Sequence, residues 1–68
     1  MKIEFTDREY WHSHMKAPKG RGHWAFEFNG QVLWVAGTLS EAKRACKEEI
    51  RKIAPADYTG TVWVKILP

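Results

Sequence analysis

The chain has 68 residues, 44% of them hydrophobic, and its eleven Lys and Arg outweigh eight Asp and Glu for a net charge of +3. That length makes one small domain, residues 1–68, near the lower limit at which a hydrophobic core suffices without staples. A single cysteine, Cys46, excludes an internal disulfide framework, and no apolar run approaches the roughly 18 residues of a membrane span. No secretory signal pattern opens the chain, so a cytoplasmic protein with no membrane partner is expected.

Lys2–Thr6 alternates polar and apolar residues, with Ile3 and Phe5 on one side, and reads as a short strand. Thr6-Asp7 starts a turn, and Arg8–His14 has the makings of a helical turn after Asp7 as N-cap. Met15–Gly22 has loop chemistry throughout. Next come two strands, His23–Phe28 and Gln31–Ala36, joined by Asn29-Gly30. Both residues of that turn tolerate the positive φ of type I′. A two-residue turn sets Trp24, Phe26, Phe28, Leu33 and Val35 on one face of the ribbon. Thr38 with Glu41 three residues on is a capping box, and it opens a helix over Leu39–Ile53. Leu39, Ala42, Cys46, Ile50 and Ile53 form its apolar stripe, and Pro55 ends it. Pro55–Gly60 is a loop with Asp57 and Gly60 as turn formers. Thr61–Leu67 is the last strand, with Val62, Val64 and Ile66 facing one way and Thr61, Trp63 and Lys65 the other.

The expected fold is therefore α+β. Its order is strand, strand, strand, helix, strand, in a mainly antiparallel four-stranded sheet with one helix packed on one face. Should the last strand run parallel to the third, the link through the helix is a right-handed crossover. The order of strands within the sheet stays open.

Three surfaces are candidates for function. Between Glu9 and Glu27 there is no acid, while Lys16, Lys19, Arg21 and three histidines fall inside that interval. Glycines at 20 and 22 let backbone amides approach an anion there, and Lys19 and Arg21 supply charge; the alternative is a solvated loop. On the helix, Lys43, Lys47 and Arg51 follow one another at i, i+4, i+8, with Arg44 beside them. Such a row is destabilising by roughly a few tenths of a kcal/mol per pair, which an acidic or nucleic-acid partner would offset. The alternative is again a solvated face, with Glu48 spaced to reach Arg44, Arg51 and Lys52. The third surface is the side of the sheet away from the helix, where Trp34 and Trp63 are expected. Exposed aromatics there stack bases or anchor protein interfaces. Alternatively the N-terminal segment folds back, with Trp11 packing on Trp34.

Catalysis finds little support. His12 and His14 form a His-x-His pair without a third metal ligand, and no nucleophile-base arrangement or nucleotide fingerprint appears. No catalytic residue, metal or cofactor is assigned.

The stretch Gly37-Thr38-Leu39-Ser40-Glu41-Ala42-Lys43-Arg44 resembles the strand-to-helix junction of small type I-F anti-CRISPR proteins. That resemblance implies a non-enzymatic inhibitor docking on the protein backbone of a CRISPR surveillance complex, in competition with target DNA. Trp24, Gly37, Thr38 and Ala42 are also similar to the arm-type DNA-binding domains of phage integrases, whose three strands all precede the helix. Thr61–Leu67, following the helix here, departs from that pattern. Both resemblances imply a phage or mobile-element protein. The function expected is docking on a host protein or nucleoprotein complex through the basic residues Lys19, Arg21, Lys43, Arg44, Lys47 and Arg51 and the aromatics Trp34 and Trp63. The alternative is a nucleic-acid-binding module, with DNA or RNA as its partner.

Overall fold

In the computed structural model, which describes residues 1–54 and 58–68, Asn29 and Gly30 take φ of 51° and 74°. That is the left-handed pair a type I′ turn needs. The hairpin they close is longer than expected by two residues at each open end. It pairs β2 (Arg21–Phe28) with β3 (Gln31–Thr38) from Phe28↔Gln31 to Arg21↔Thr38. Gly37 makes the extension possible. Its φ is 136°, and a Cβ there would stand 3.1 Å from the Glu41 carboxylate. Its carbonyl accepts the Trp24 indole N–H at 3.2 Å.

The other elements are β1 (Lys2–Thr6), α1 (Arg8–His14), α2 (Leu39–Ile53) and β4 (Thr61–Ile66). The capping box of α2 is formed in both directions, Glu41 N–H to Thr38 Oγ1 at 3.2 Å and Thr38 N–H to Glu41 Oε1 at 2.9 Å. Ala54 after it is extended, with its N–H on the Ile50 carbonyl. Pro55 as helix stop and Asp57 as turn former lie outside the described residues. The Asp7 side chain makes no capping bond to α1, which instead ends on a left-handed Met15.

The sheet departs from expectation in two ways. It is mixed rather than mainly antiparallel, and a second helix (α1) interrupts the first three strands. The strand order, which the sequence leaves open, is β1-β4-β2-β3 and not that of the chain. β4 pairs parallel to β1 from Lys2↔Thr61 to Thr6↔Lys65, and antiparallel to β2 only at Phe26↔Ile66 and Glu27↔Lys65. Leu67 N–H adds one bond to the Ala25 carbonyl at 2.9 Å. The physical reason is burial. Val64 and Ile66 complete the core beside Phe26 only if β4 enters between β1 and β2. β4 also runs in the direction of β3, so β3-α2-β4 is a crossover passing β2.

The core lies between the sheet and α2. Trp24, Phe26, Phe28, Ala42, Cys46, Ile50, Val64 and Ile66 are buried, with Leu33, Val35, Leu39 and Val62 packed against them. Ile53, expected in the same stripe, is 56% exposed, because it borders an open cleft beside the hairpin end at Asn29 and Gln31. Tyr10 brings α1 onto the same core, its ring 5.8 Å from that of Trp24.

Candidate functional site

Strand alternation settles where the two strand tryptophans point. Trp34 sits opposite Ala25 and Trp63 opposite Glu4, so both project from the face that α2 does not cover. Trp34 is 70% exposed and Trp63 64%. The N-terminal segment does not fold over them. α1 crosses the end of the sheet instead, and its Trp11 is itself 52% exposed. Leu67 beside Ala25 lies four residues beyond Trp63, so the two backbone positions stand about 16 Å apart, from strand rise and strand spacing.

The ground between them is charged but paired. Lys65 lies 3.9 Å from both Glu27 and Glu9, and beyond Trp63, on the edge strand β1, Lys2 lies 3.3 Å from Glu4. Exposed pairs of this kind add little stability. Away from Lys19 and Arg21, they leave the uncovered face without net positive charge, two lysines against three glutamates.

At the Trp34 end of the face the character changes. β4 stops pairing at Leu67, so the start of β2 has no neighbour on that side, and a groove of about 240 Å³ opens. Lys19, Arg21, His14 and His23 line it together with Tyr10 and Trp34, and no acidic side chain does. His14 stacks on Tyr10 at 4.1 Å, which holds its ring at the groove wall. The loop carrying Lys19 is tied down, because the Gly20 carbonyl accepts the Leu39 N–H at 2.9 Å. Arg21 also helps hold the Glu41 carboxyl below its ordinary range, a shift owed first to the hydrogen bonds with Thr38.

At the Trp63 end, β2 and β4 part before the hairpin turn and leave an open cleft of about 600 Å³. Ile50, Ile53, Val62, Tyr58 and Trp63 give it apolar walls, with Asn29, Gln31 and Thr61 at its margin.

The basic helix row sits on the other side of the molecule. Lys43 Nζ lies 5.3 Å from the centre of the Phe5 ring and Lys47 Nζ 5.9 Å. Both side chains are half-buried, reaching over the part of β1 that α2 leaves bare. The like-charged row therefore has an intramolecular partner, a cation–π contact worth roughly 0.5–1 kcal/mol at such sites. Arg44 and Arg51 are exposed on the outer side of α2. Lys52 pairs with Glu49 at 3.3 Å, and Glu48, expected to reach three cations, has no ion pair among the described residues.

The expected binding residues thus divide between two layers. Trp34, Trp63, Lys19 and Arg21 share the uncovered side, whereas Lys43, Arg44, Lys47 and Arg51 belong to the helix side with the sheet between. Residue reasoning missed His14, His23 and Tyr10 as groove walls, although the acid-free interval from Glu9 to Glu27 contained all three. It also missed Ile53 and Tyr58 beside Trp63. His12 and His14 lie two apart on a helix and face different ways. Among the described residues no three His, Cys, Asp or Glu side chains group as metal ligands, and no helix is long and apolar enough to cross a membrane. Cys46 is fully buried, and desolvation pushes its thiol up to about 11, so it is no nucleophile at neutral pH.

Comparison with protein-family models, with curated proteins and with solved structures found no match for this chain.

Proposed function

We propose that this is a non-enzymatic binding protein, an inhibitor or adaptor of phage or mobile-element type, that docks on a cytoplasmic host protein or nucleoprotein complex through the uncovered face of its sheet. The observation that carries the reading is the pair Trp34 and Trp63, both more than half exposed on one face. A rigid strand presents each indole at little entropic cost, and aromatics of this kind dominate interface energetics. The Lys65 and Glu27 charges between them are already paired within the chain, which suits a protein surface better than a phosphate backbone. The Lys19–Arg21 groove then serves as a rim contact for an acidic group. The test is capture from host extract with the wild type beside Trp34→Ala and Trp63→Ala. Recovery of one stoichiometric complex by the wild type, lost in the variants at unchanged melting temperature, is expected. Equal recovery by all three would remove the reading.

A second reading is favoured by the groove alone. Four basic or imidazole side chains beside an exposed indole form a small version of a single-strand binding site, with phosphates on Lys19 and Arg21 and a base on Trp34. Binding of single-stranded oligonucleotides should then weaken steeply with salt, and Lys19→Glu/Arg21→Glu should abolish it.

A further inference from the structure

We propose that two copies of the chain pair antiparallel along β3, about a two-fold axis at Trp34, joining two four-stranded sheets into one of eight strands. The proposal is independent of which partner the uncovered face takes.

β3 is one edge of the sheet. It is eight residues long, and its register with β2 runs unbroken from end to end, with no bulge to twist it away. Its sequence, Gln-Val-Leu-Trp-Val-Ala-Gly-Thr, contains no charge and no proline. Soluble proteins ordinarily blunt such an edge with Lys, Pro, a bulge or a short length. The other edge, β1, does so. It has five residues, two of them Lys2 and Glu4.

The outward groups follow from the hairpin. Phe28↔Gln31 closes a two-residue turn and is a hydrogen-bonded pair, so Leu33, Val35 and Gly37 also direct their amides to β2. The N–H and C=O groups of Val32, Trp34 and Ala36 point away from the sheet, and all three residues are exposed. A two-fold axis at Trp34 sets Val32 against Ala36 of the second copy, and Trp34 against its own equivalent. About six backbone hydrogen bonds form, each outward residue exchanging both its groups. On the helix side Leu33 meets Val35 of the second copy and extends the core. On the uncovered side the two Trp34 indoles become neighbours.

Charge points to a second copy as the occupant. Two molecules of net charge +3 repel wherever their cations face each other, and β3 is the strand that offers no cation. The flank of α2 above it supports the same contact. Lys43 and Lys47 lean the other way, over Phe5 of β1, so the β3 side of the helix carries Ala45, Glu49 and Lys52, with one charge of each sign.

The experiment is sedimentation equilibrium on the wild type and two double variants, across concentrations from low micromolar to millimolar. The wild type should pass from the 7.9 kDa chain mass to twice that value. In Val32→Lys/Ala36→Lys, introduced ammonium groups oppose each other across the axis, and dissociation should strengthen by about tenfold or more. In Val32→Glu/Ala36→Lys the same positions hold opposite charges, and the dimer should persist. Circular dichroism melts on dilute samples check that both variants stay folded. A wild type that remains monomeric at every concentration, or two double variants with equal association, would overturn the proposal.

Discussion

Trp24 and Trp34 sit on neighbouring strands, yet one is buried against α2 and the other is 70% exposed. Their strands obey the same alternation, so the contrast lies in what covers each face. On the helix side fifteen residues of α2 seal Trp24, Phe26 and Phe28. On the other side no helix covers the sheet, and Ala25 and the Lys65–Glu27 pair lie between Trp34 and Trp63. The same aromatic residue is thus a core element on one face and an unsatisfied apolar surface on the other. Stability and recognition should therefore respond to different tryptophans.

The sharpest way to break that comparison is Trp24→Ala. Truncation of so large a buried side chain costs about 3–5 kcal/mol, and the Gly37 carbonyl loses its indole partner. A domain this small should be largely unfolded at 25 °C by circular dichroism. Trp34→Ala and Trp63→Ala should shift unfolding by no more than about 0.5 kcal/mol while weakening partner binding by about 2 kcal/mol. Matched chemical denaturation and binding isotherms read both quantities. Equal loss of stability on the two faces would erase the distinction.

Next is Thr38→Ala, which removes the helix cap for about 1 kcal/mol, read by urea titration. Its pH dependence carries a sign. The folded state holds the Glu41 carboxyl below its ordinary range, so this contribution is present above that range and fades as pH falls through the lowered value. The variant should lose part of the wild type's sensitivity to acid. Cys46 acts in the opposite direction. Its thiol is pushed up from 9.0 to about 11, so stability is complete below the ordinary thiol value and drains away as pH rises toward 11. Alkylation by iodoacetamide should be slow without denaturant, and Cys46→Ala should flatten the alkaline limb. A stability effect as small as that of the cap comes from Lys43→Glu/Lys47→Glu. Loss of the two contacts with Phe5 should cost about 1 kcal/mol in a thermal melt, with partner capture unchanged.

These local features are legible in the sequence. Asn29-Gly30 specified the hairpin, Thr38 and Glu41 specified the helix start, and period-two alternation assigned Trp24 and Trp34 to opposite faces. Each depends on residues within four of one another or directly across a turn. The position of β4 does not. Val62, Val64 and Ile66 mark a strand with one buried face, but nothing in them says that it enters between β1 and β2, or parallel to one and antiparallel to the other. Two consequences for the site were hidden with it. Lys43 and Lys47 looked unpartnered because Phe5, nearly forty residues away in the chain, comes beneath them only once β1 is docked. The groove holding Lys19, Arg21 and Trp34 lies beside the start of β2, which β4 pairs with only further along, at Phe26 and Glu27.

The central position of β4 also bears on how the chain is made. As synthesis proceeds from the N-terminus, the hairpin and α2 can assemble while β1 has no strand beside it. Its Ile3 and Phe5 must wait, unprotected, until Thr61–Ile66 has left the ribosome and slotted in. Contacts spanning nearly the whole sequence are slow to form. A nascent chain stalled before residue 61 would thus leave β1 without the strand it pairs with.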